Sequence, residues 1–433
     1  MPPHALAVPN AGKREEPMDY DVIVVGGRCA GAPTAMMLAA QGNRVLLVDR
    51  AEFPSDTSST HYIHQAGVQR LQDWGVLDTL VAAGTPPIRR MEYRNEGMNL
   101  YGFAEPAGAV DAVYCPRRDL LDATLYDAAV NAGAESLTGF TVTGLTRDAA
   151  GAVNGVTGAT RGGQKATITA KLVVGADGAH STVAKLAGAQ KYNVRPAAGF
   201  SYWNYFRGLD WDFAQHKTGF NRRWFGSWPT NDDLTMVAVI LSNDQLKQFA
   251  SEPEQSFYDV VAELEPERAE QLRDAGIPEG RLRRMRNADN FYRESSGPGW
   301  ALVGDAGYHK DPITGWGMSD AFIQGEIFTS LVSEALQGAR PVQEATAEYV
   351  ATRDEITEPM YDYTTTVAEM NLPPFFRSVI KACSQSEKWT TTMLGVVAGV
   401  VDGDEIFSPE SLERLYEEGG LLEDEKVWDP QAA

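Results

Sequence analysis

The sequence predicts an α/β fold in which a Rossmann-like dinucleotide-binding domain is interrupted by an antiparallel β-sheet and followed by a helical region. Three observations carry that prediction. Residues 20–48 read strand, glycine turn, helix and strand, ending in an acid. Two later apolar strands, near 172 and 301, each run into a glycine-acid turn. Between those two lies a stretch of alternating aromatic residues with no helical period.

The first strand is YDVIVV and the turn is VVGGRCAG, residues 24–31. The G-x-G-x-x-G pattern of such a turn lets backbone approach a pyrophosphate at a helix N-terminus. Its three glycine positions are Gly26, Arg28 and Gly31. A side chain at position 28 is compatible with the cradle if it points away, and a guanidinium there could also fold back onto phosphate or ribose. The helix carries Ala35, Leu38 and Ala39, small enough on one side to pack closely on a sheet. The second strand, RVLLV, ends at Asp49 and Arg50, about twenty residues past the turn, where a carboxylate binds ribose hydroxyls.

KLVVGADGAHSTVAKLAG, residues 171–188, takes a short strand into Asp177 and then a helix containing Ser181. WALVGDAGYHKDPITGWGMSDA, residues 300–321, does the same at Asp305, followed by Pro312, Gly315, Gly317, Met318 and a long helix. Either could be a plain turn, since Asp-Gly favours turns. Together they place two acids at the carboxyl edge of one sheet, where ligands bind in α/β folds. From 191 to about 290, YNVRPAAGFSYWNYFRGL, TGFNRRWFGSWP and LTMVAVIL read as antiparallel strands. Helical periodicity dominates after about residue 318.

Bulk properties set limits. The formal net charge is −21, from 38 basic and 59 acidic residues, which argues against a nucleic-acid partner. Cys29, Cys115 and Cys383 are too scattered for a disulfide framework, so a cytoplasmic setting is expected. MPPHALAVPNAGKREEPM lacks the apolar core of a signal peptide and reads as a mobile tail. No apolar run is long enough to span a bilayer.

With these motifs in order, the chain resembles the flavin-dependent aromatic hydroxylases, single-component FAD monooxygenases with the para-hydroxybenzoate hydroxylase fold. The resemblance covers roughly residues 18–340. A fourth match supports it: Arg118-Asp-Leu-Leu121-Asp-Ala-Thr-Leu125, similar to that family's Arg-x-x-Leu-x-x-x-Leu helix start. It implies an FAD-binding domain of the glutathione reductase type over 18–90, 111–190 and 288–340. A substrate-binding β domain would span 91–110 and 191–287, with a helical region over 341–433 and the tail over 1–17. It also implies that Asp49 holds the FAD ribose, Arg118 and Asp177 lie near the pyrophosphate, and Asp305 holds the ribityl chain. The sequence departs from the family at Arg28, at Val183-Ala184-Lys185 where an arginine usually follows the valine, and at Met318-Ser-Asp where Met-Asn is frequent. Only one strand-glycine-helix fingerprint is present, so NAD(P)H is expected as a transient cosubstrate at the surface.

The catalytic expectations are fewer. His61 and His64, in the stretch SSTHYIH after the second strand, and His309, inside the Gly-Asp loop, are candidates to deprotonate a phenol. Either of the first two could equally cap the next helix. Their spacing suits a metal, but no further His, Cys or carboxylate cluster completes a site, and none is expected. Trp203, Tyr205, Trp224, Phe225 and Trp228 alternate through the inserted sheet, and the set on one face would suit a flat substrate. Near Gly315 and Gly317 a helix N-terminus offers N–H groups where reduced flavin develops negative charge.

The expected activity is therefore FAD-dependent oxygenation of an aromatic or polyketide-like small molecule with NAD(P)H and O2, through a flavin C4a-hydroperoxide, by a monomer or homodimer. The alternatives are a non-oxygenating flavin oxidoreductase similar to geranylgeranyl reductases, a two-component FADH2-dependent oxygenase or halogenase, and a silent flavin-binding partner subunit. The Trp-x-Trp-x-Ile element usual in flavin halogenases is absent from the sequence.

Overall fold

The computed structural model of the protein describes residues 19–428 apart from 58, 60, 96 and 220. The tail expected over residues 1–17 lies outside the described residues. At the centre of the first sheet is Tyr20–Val25, parallel to Val45–Val48 on one side and to Lys165–Gly175 on the other. Glu135–Leu137 and Trp300–Leu302 extend the sheet in parallel at its two flanks. The strands are continuous apolar runs because both faces are covered. Val22 and Val24 share a core with Ala32, Ala35 and Leu38 of helix Gly31–Ala40, and with Phe322 and Phe328 of helix Gly317–Leu336. Ile23 and Val25 share the other with Phe140, Val142 and Val156 of an antiparallel meander, Phe140–Arg147, Val153–Thr160 and Lys165–Gly175. All the parallel strands point their carboxyl ends toward Gly26, Asp49, Ala176 and Gly304.

The second sheet holds Gly199–Arg207, Leu234–Ser242, Arg223–Thr230 and Ala214–Gly219 in that order, closed at one edge by Met91–Asn95 and Met98–Gly102. Side-chain alternation divides it. Trp203, Trp224, Trp228, Met236 and Ile240 lie in one core, and Phe225, Val237 and Val239 in another with Phe257 and Val261 of helix Pro253–Leu264. Lys191–Arg195, which sequence assigned to this sheet, pairs instead with Asn290–Arg293, and that strand also pairs with Tyr308–His309.

The C-terminal helices are not an appendage. Phe375, Trp389, Met393 and Leu394 are buried in the same core as the tryptophan face. Burying a side chain of that size contributes about 1.5–3 kcal/mol, so four of them dock the segment firmly. Helix Glu387–Ala398 also fixes the turn before helix Gly317–Leu336, since Trp316 Nε1 donates to the Val397 carbonyl at 3.0 Å. Among the described residues no helix is long and apolar enough to cross a membrane.

Candidate functional site

The glycine turn is closed by backbone against backbone. A Cβ on Gly31 would lie 1.8 Å from the Gly26 carbonyl oxygen, and one on Gly26, with φ +109°, would lie 2.4 Å from that of Ala176. Position 28 has no such restriction. Its guanidinium leaves the turn, pairs with Asp122, donates to Ser55 Oγ at 2.8 Å and lies over the Phe53 ring. Asp122 was quoted within the helix-start motif but given no role; it is fully buried and binds two arginines. Arg118 reaches it with Nε at 3.2 Å and Nη2 at 2.9 Å, one turn away on helix Arg118–Asn131. Burial opposes the charge of Arg118, and Asp122 and Asp305 hold its pKa above the ordinary arginine value. Two guanidiniums on one carboxylate leave one net positive charge beside the glycine turn.

Asp49 closes the turn from the other side, accepting from Gly27 N at 2.7 Å and Ala51 N at 2.7 Å. A carboxylate has about four lone-pair sites, so acceptor capacity remains. Arg50 is exposed beside it. Asp177 is turned elsewhere: it accepts from Ser181 Oγ and from Thr182 N at 2.6 Å and Val183 N at 3.2 Å, capping helix Thr182–Ala187. Both its oxygens are engaged at that helix start, while the Ala176 backbone meets the glycine turn.

The Gly-Asp loop is drawn against the first turn. Gly304 has φ +59°, and a Cβ there would lie 2.6 Å from Ala30 Cβ. Gly304 N donates to Gln324 Oε1 at 3.1 Å, which ties the loop to the long helix. Asp305 follows in the short turn Gly304–Ala306. Further on, Asp311 caps the turn Pro312–Thr314 through Ile313 N at 3.1 Å, and Gly315 takes φ +69°. Helix Gly317–Leu336 then begins, Met318 is buried, and a Cβ on Gly317 would meet nothing within 4 Å. The first N–H groups of that helix therefore open onto space, where they can receive an anionic or carbonyl group.

A cavity lies between this loop and the second sheet. Pro312, Ile313 and Gly315 form one wall, and Trp203, Trp224, Trp228 and His216 the facing one. His61 also lines it, and its Nε2 is hydrogen-bonded to the Tyr205 hydroxyl. Tyr205 itself is not part of the wall: its ring sits under Arg117 and Arg283, at 5.1 and 4.7 Å. His64 stands behind the loop, with Nε2 2.7 Å from the Thr314 carbonyl and its ring stacked on Trp316. Burial pushes its pKa down to about 4, despite that carbonyl. His309, expected on the substrate side, faces away. It is the outward residue of the alternation Tyr308, His309, Lys310, and its Nδ1 contacts the Asp289 carbonyl at 3.0 Å. Lys310, the inward neighbour, is buried and paired with Asp320 in the first turn of the long helix.

A family model described as an FAD binding domain matches residues 19–363 of the chain. The chain belongs to this FAD-binding family, the flavin-dependent aromatic hydroxylase type. As a flavoprotein of that family it is an FAD-dependent oxidoreductase. It is 28% identical over 347 residues to digeranylgeranylglycerophospholipid reductase of Methanocella arvoryzae, covering 77% of this chain and 82% of that one. It is 34% identical over 172 residues to 6-methylpretetramide 4-monooxygenase of Streptomyces rimosus, covering 39% and 40%. The structure of the myxobacterial chondrochloren halogenase CndH superposes with a TM-score of 0.74 at 21% identity, over 95% of this chain and all (100%) of that one, which shows a shared fold. The flavoprotein's own residues fit the dinucleotide: a side-chain-free turn, a net cation beside it, an acid with spare acceptor capacity, and an open helix start.

Proposed function

We propose that the chain is an FAD-dependent monooxygenase that oxygenates an aromatic or polyketide-like small molecule with NAD(P)H and O2. The observation that carries this reading is the aromatic cavity between the Pro312–Thr314 turn and the tryptophan face of the second sheet. In this reading Asp49 binds the FAD ribose, the Arg118–Asp122–Arg28 cluster neutralises the pyrophosphate, and Asp305 binds the ribityl chain. The N–H groups of Gly317 and Met318 hold the carbonyl edge of the ring. When bound, FAD supplies the two-electron carrier and the centre that activates oxygen. The protein's share is then to hold a flat substrate against the Gly315 edge and to keep water out with apolar walls. His61 is the cavity histidine placed to exchange a proton with a substrate hydroxyl, with Tyr205 as its second partner.

The test is turnover under labelled dioxygen. One labelled oxygen in the product and stoichiometric NAD(P)H oxidation are expected. The extended likeness to digeranylgeranylglycerophospholipid reductase favours a second reading, reduction of a carbon–carbon double bond without oxygen insertion. A product two hydrogens heavier, free of label and formed without oxygen, would establish that reading instead. Flavin that NAD(P)H and added reductants never bleach would mark a silent binding subunit.

A further inference from the structure

The cavity wall is built of rings, yet three of its side chains carry polar atoms that find no hydrogen-bond partner among the described residues. They are Trp203 Nε1, Trp228 Nε1 and His216 Nε2. The three residues are only 2%, 3% and 5% exposed. A buried donor or acceptor left unpaired costs about 1–3 kcal/mol, so three around one cavity point to a partner that arrives with the ligand.

Their directions are set by the sheet. Trp203 stands opposite Ala238 and Trp228 opposite Met236, while His216 stands opposite Gly226. Gly226 is what makes room for the indoles. A Cβ there would lie 2.2 Å from Trp224 Cη2 and 2.5 Å from Trp228 Cη2, so both rings fold over a bare backbone position. The imidazole is clamped as well. It stacks on Tyr93 at 4.3 Å with 18° between planes, and meets Trp224, Trp228 and Tyr62 edge-on. The surrounding groups are aromatic rings and the neutral His64, and burial pushes the His216 pKa down to about 3. A neutral imidazole offers a lone pair or an N–H at Nε2 according to tautomer, and a hydroxyl satisfies either.

We propose that Trp203 Nε1, Trp228 Nε1 and His216 Nε2 form a polar triad that selects a flat, oxygen-bearing polycyclic substrate of the hydroxyquinone class. The two indoles donate to carbonyl-type oxygens, and His216 pairs with a ring hydroxyl. This rests on the aromatic cavity being the substrate site, as the monooxygenase reading holds. A bare aromatic hydrocarbon or an isoprenoid chain would fill the same space and leave all three atoms unpaired. A site built to pair with oxygen atoms rejects analogues lacking them far more strongly than an apolar pocket separates sizes.

The test is equilibrium dialysis with FAD-loaded, oxidised protein and three ligands of one outline: anthracene, anthraquinone and 1,8-dihydroxyanthraquinone. In the native protein affinity should rise at each step, by about fivefold or more per group of oxygens added. Trp203→Phe, Trp228→Phe and His216→Phe should each weaken 1,8-dihydroxyanthraquinone by about five- to tenfold and leave anthracene within about twofold. The ligand series needs no variant, so a misfolded variant does not blunt it. Equal affinity across the series, or no binding of any of the three, overturns the proposal. Equal weakening of anthracene and the dihydroxyquinone in all three folded variants overturns it too. The measurement involves no reduction and no oxygen, so it stands apart from the labelled-dioxygen test of the reaction itself.

Discussion

The two walls of the site are built on opposite terms. The dinucleotide wall is polar and internally satisfied: Asp122 is shared by Arg28 and Arg118, Asp49 by two backbone amides, and Gly304 N by Gln324. The sheet wall is aromatic, and Trp203, Trp228 and His216 lack partners among the described residues. A site for a ligand common to many proteins is shaped largely by backbone and charge. A site for one particular substrate leaves its side-chain polar groups open to that substrate. The difference locates constancy on one wall and choice on the other.

The strongest way to break the comparison is to put a side chain into the glycine turn. Gly31→Ala places its Cβ against the Gly26 carbonyl, where nothing flexible can yield. Loss of FAD retention and destabilisation above about 3 kcal/mol are expected in denaturant titration; a variant that binds FAD normally would show that the turn is not closed this way. Next is the shared carboxylate. Asp122→Ala strands two guanidiniums, one of them buried, and should cost about 3–5 kcal/mol without FAD. Saturating FAD should recover part of that loss, because the pyrophosphate supplies the missing negative charge. Equal destabilisation with and without FAD would detach the cluster from the cofactor.

The sheet side has a pH signature. His64 and His216 have pKa values of about 4 and about 3 in the folded protein against an ordinary 6.5. Unfolded chain takes up a proton at each as pH falls below the ordinary value, and folded chain does not. The stabilisation is thus whole above that value and is lost on acidification. Between pH 6.5 and 5 the loss should be about 2 kcal/mol per imidazole, read by chemical denaturation at each pH. His216→Phe should remove one share of the slope, and an unchanged slope would mean that His216 titrates normally. The smallest effects belong to single ligand contacts. Asp305→Ala and Asp49→Ala should each weaken FAD by about 1.5–3 kcal/mol in flavin fluorescence titrations, with the fold intact by circular dichroism.

Much of the dinucleotide wall was legible in the sequence because its rules are local. The turn, the acid after the second strand and the Gly-Asp loop each depend on a strand ending where a helix begins, and spacing along the chain records that. Sequence could not say where Arg28 points, because its partner Asp122 lies on a different helix. Asp177 looked like a ligand acid and is a helix cap, since both roles draw on an acid after a strand and before a helix. On the sheet wall, alternation separated Trp224 and Trp228 from Phe225, as period two must. His216 carried no signal of its own, because a lone histidine in a strand gives no sign of which rings will enclose it. The C-terminal helices read as an addition, since nothing in an amphipathic period names the surface it will cover.

By itself, then, the sequence determined the order of strand, turn and helix and the places where backbone must come within reach of backbone. Those follow from φ and side-chain size, which are properties of single residues. Only the tertiary structure decided which charges meet and which stay open. Asp122 found two cations, His309 turned outward while Lys310 turned in, and the two indoles settled over Gly226 with their N–H groups unpaired. The physical reason is that electrostatics and hydrogen bonding act across distances in space that the chain crosses only by folding.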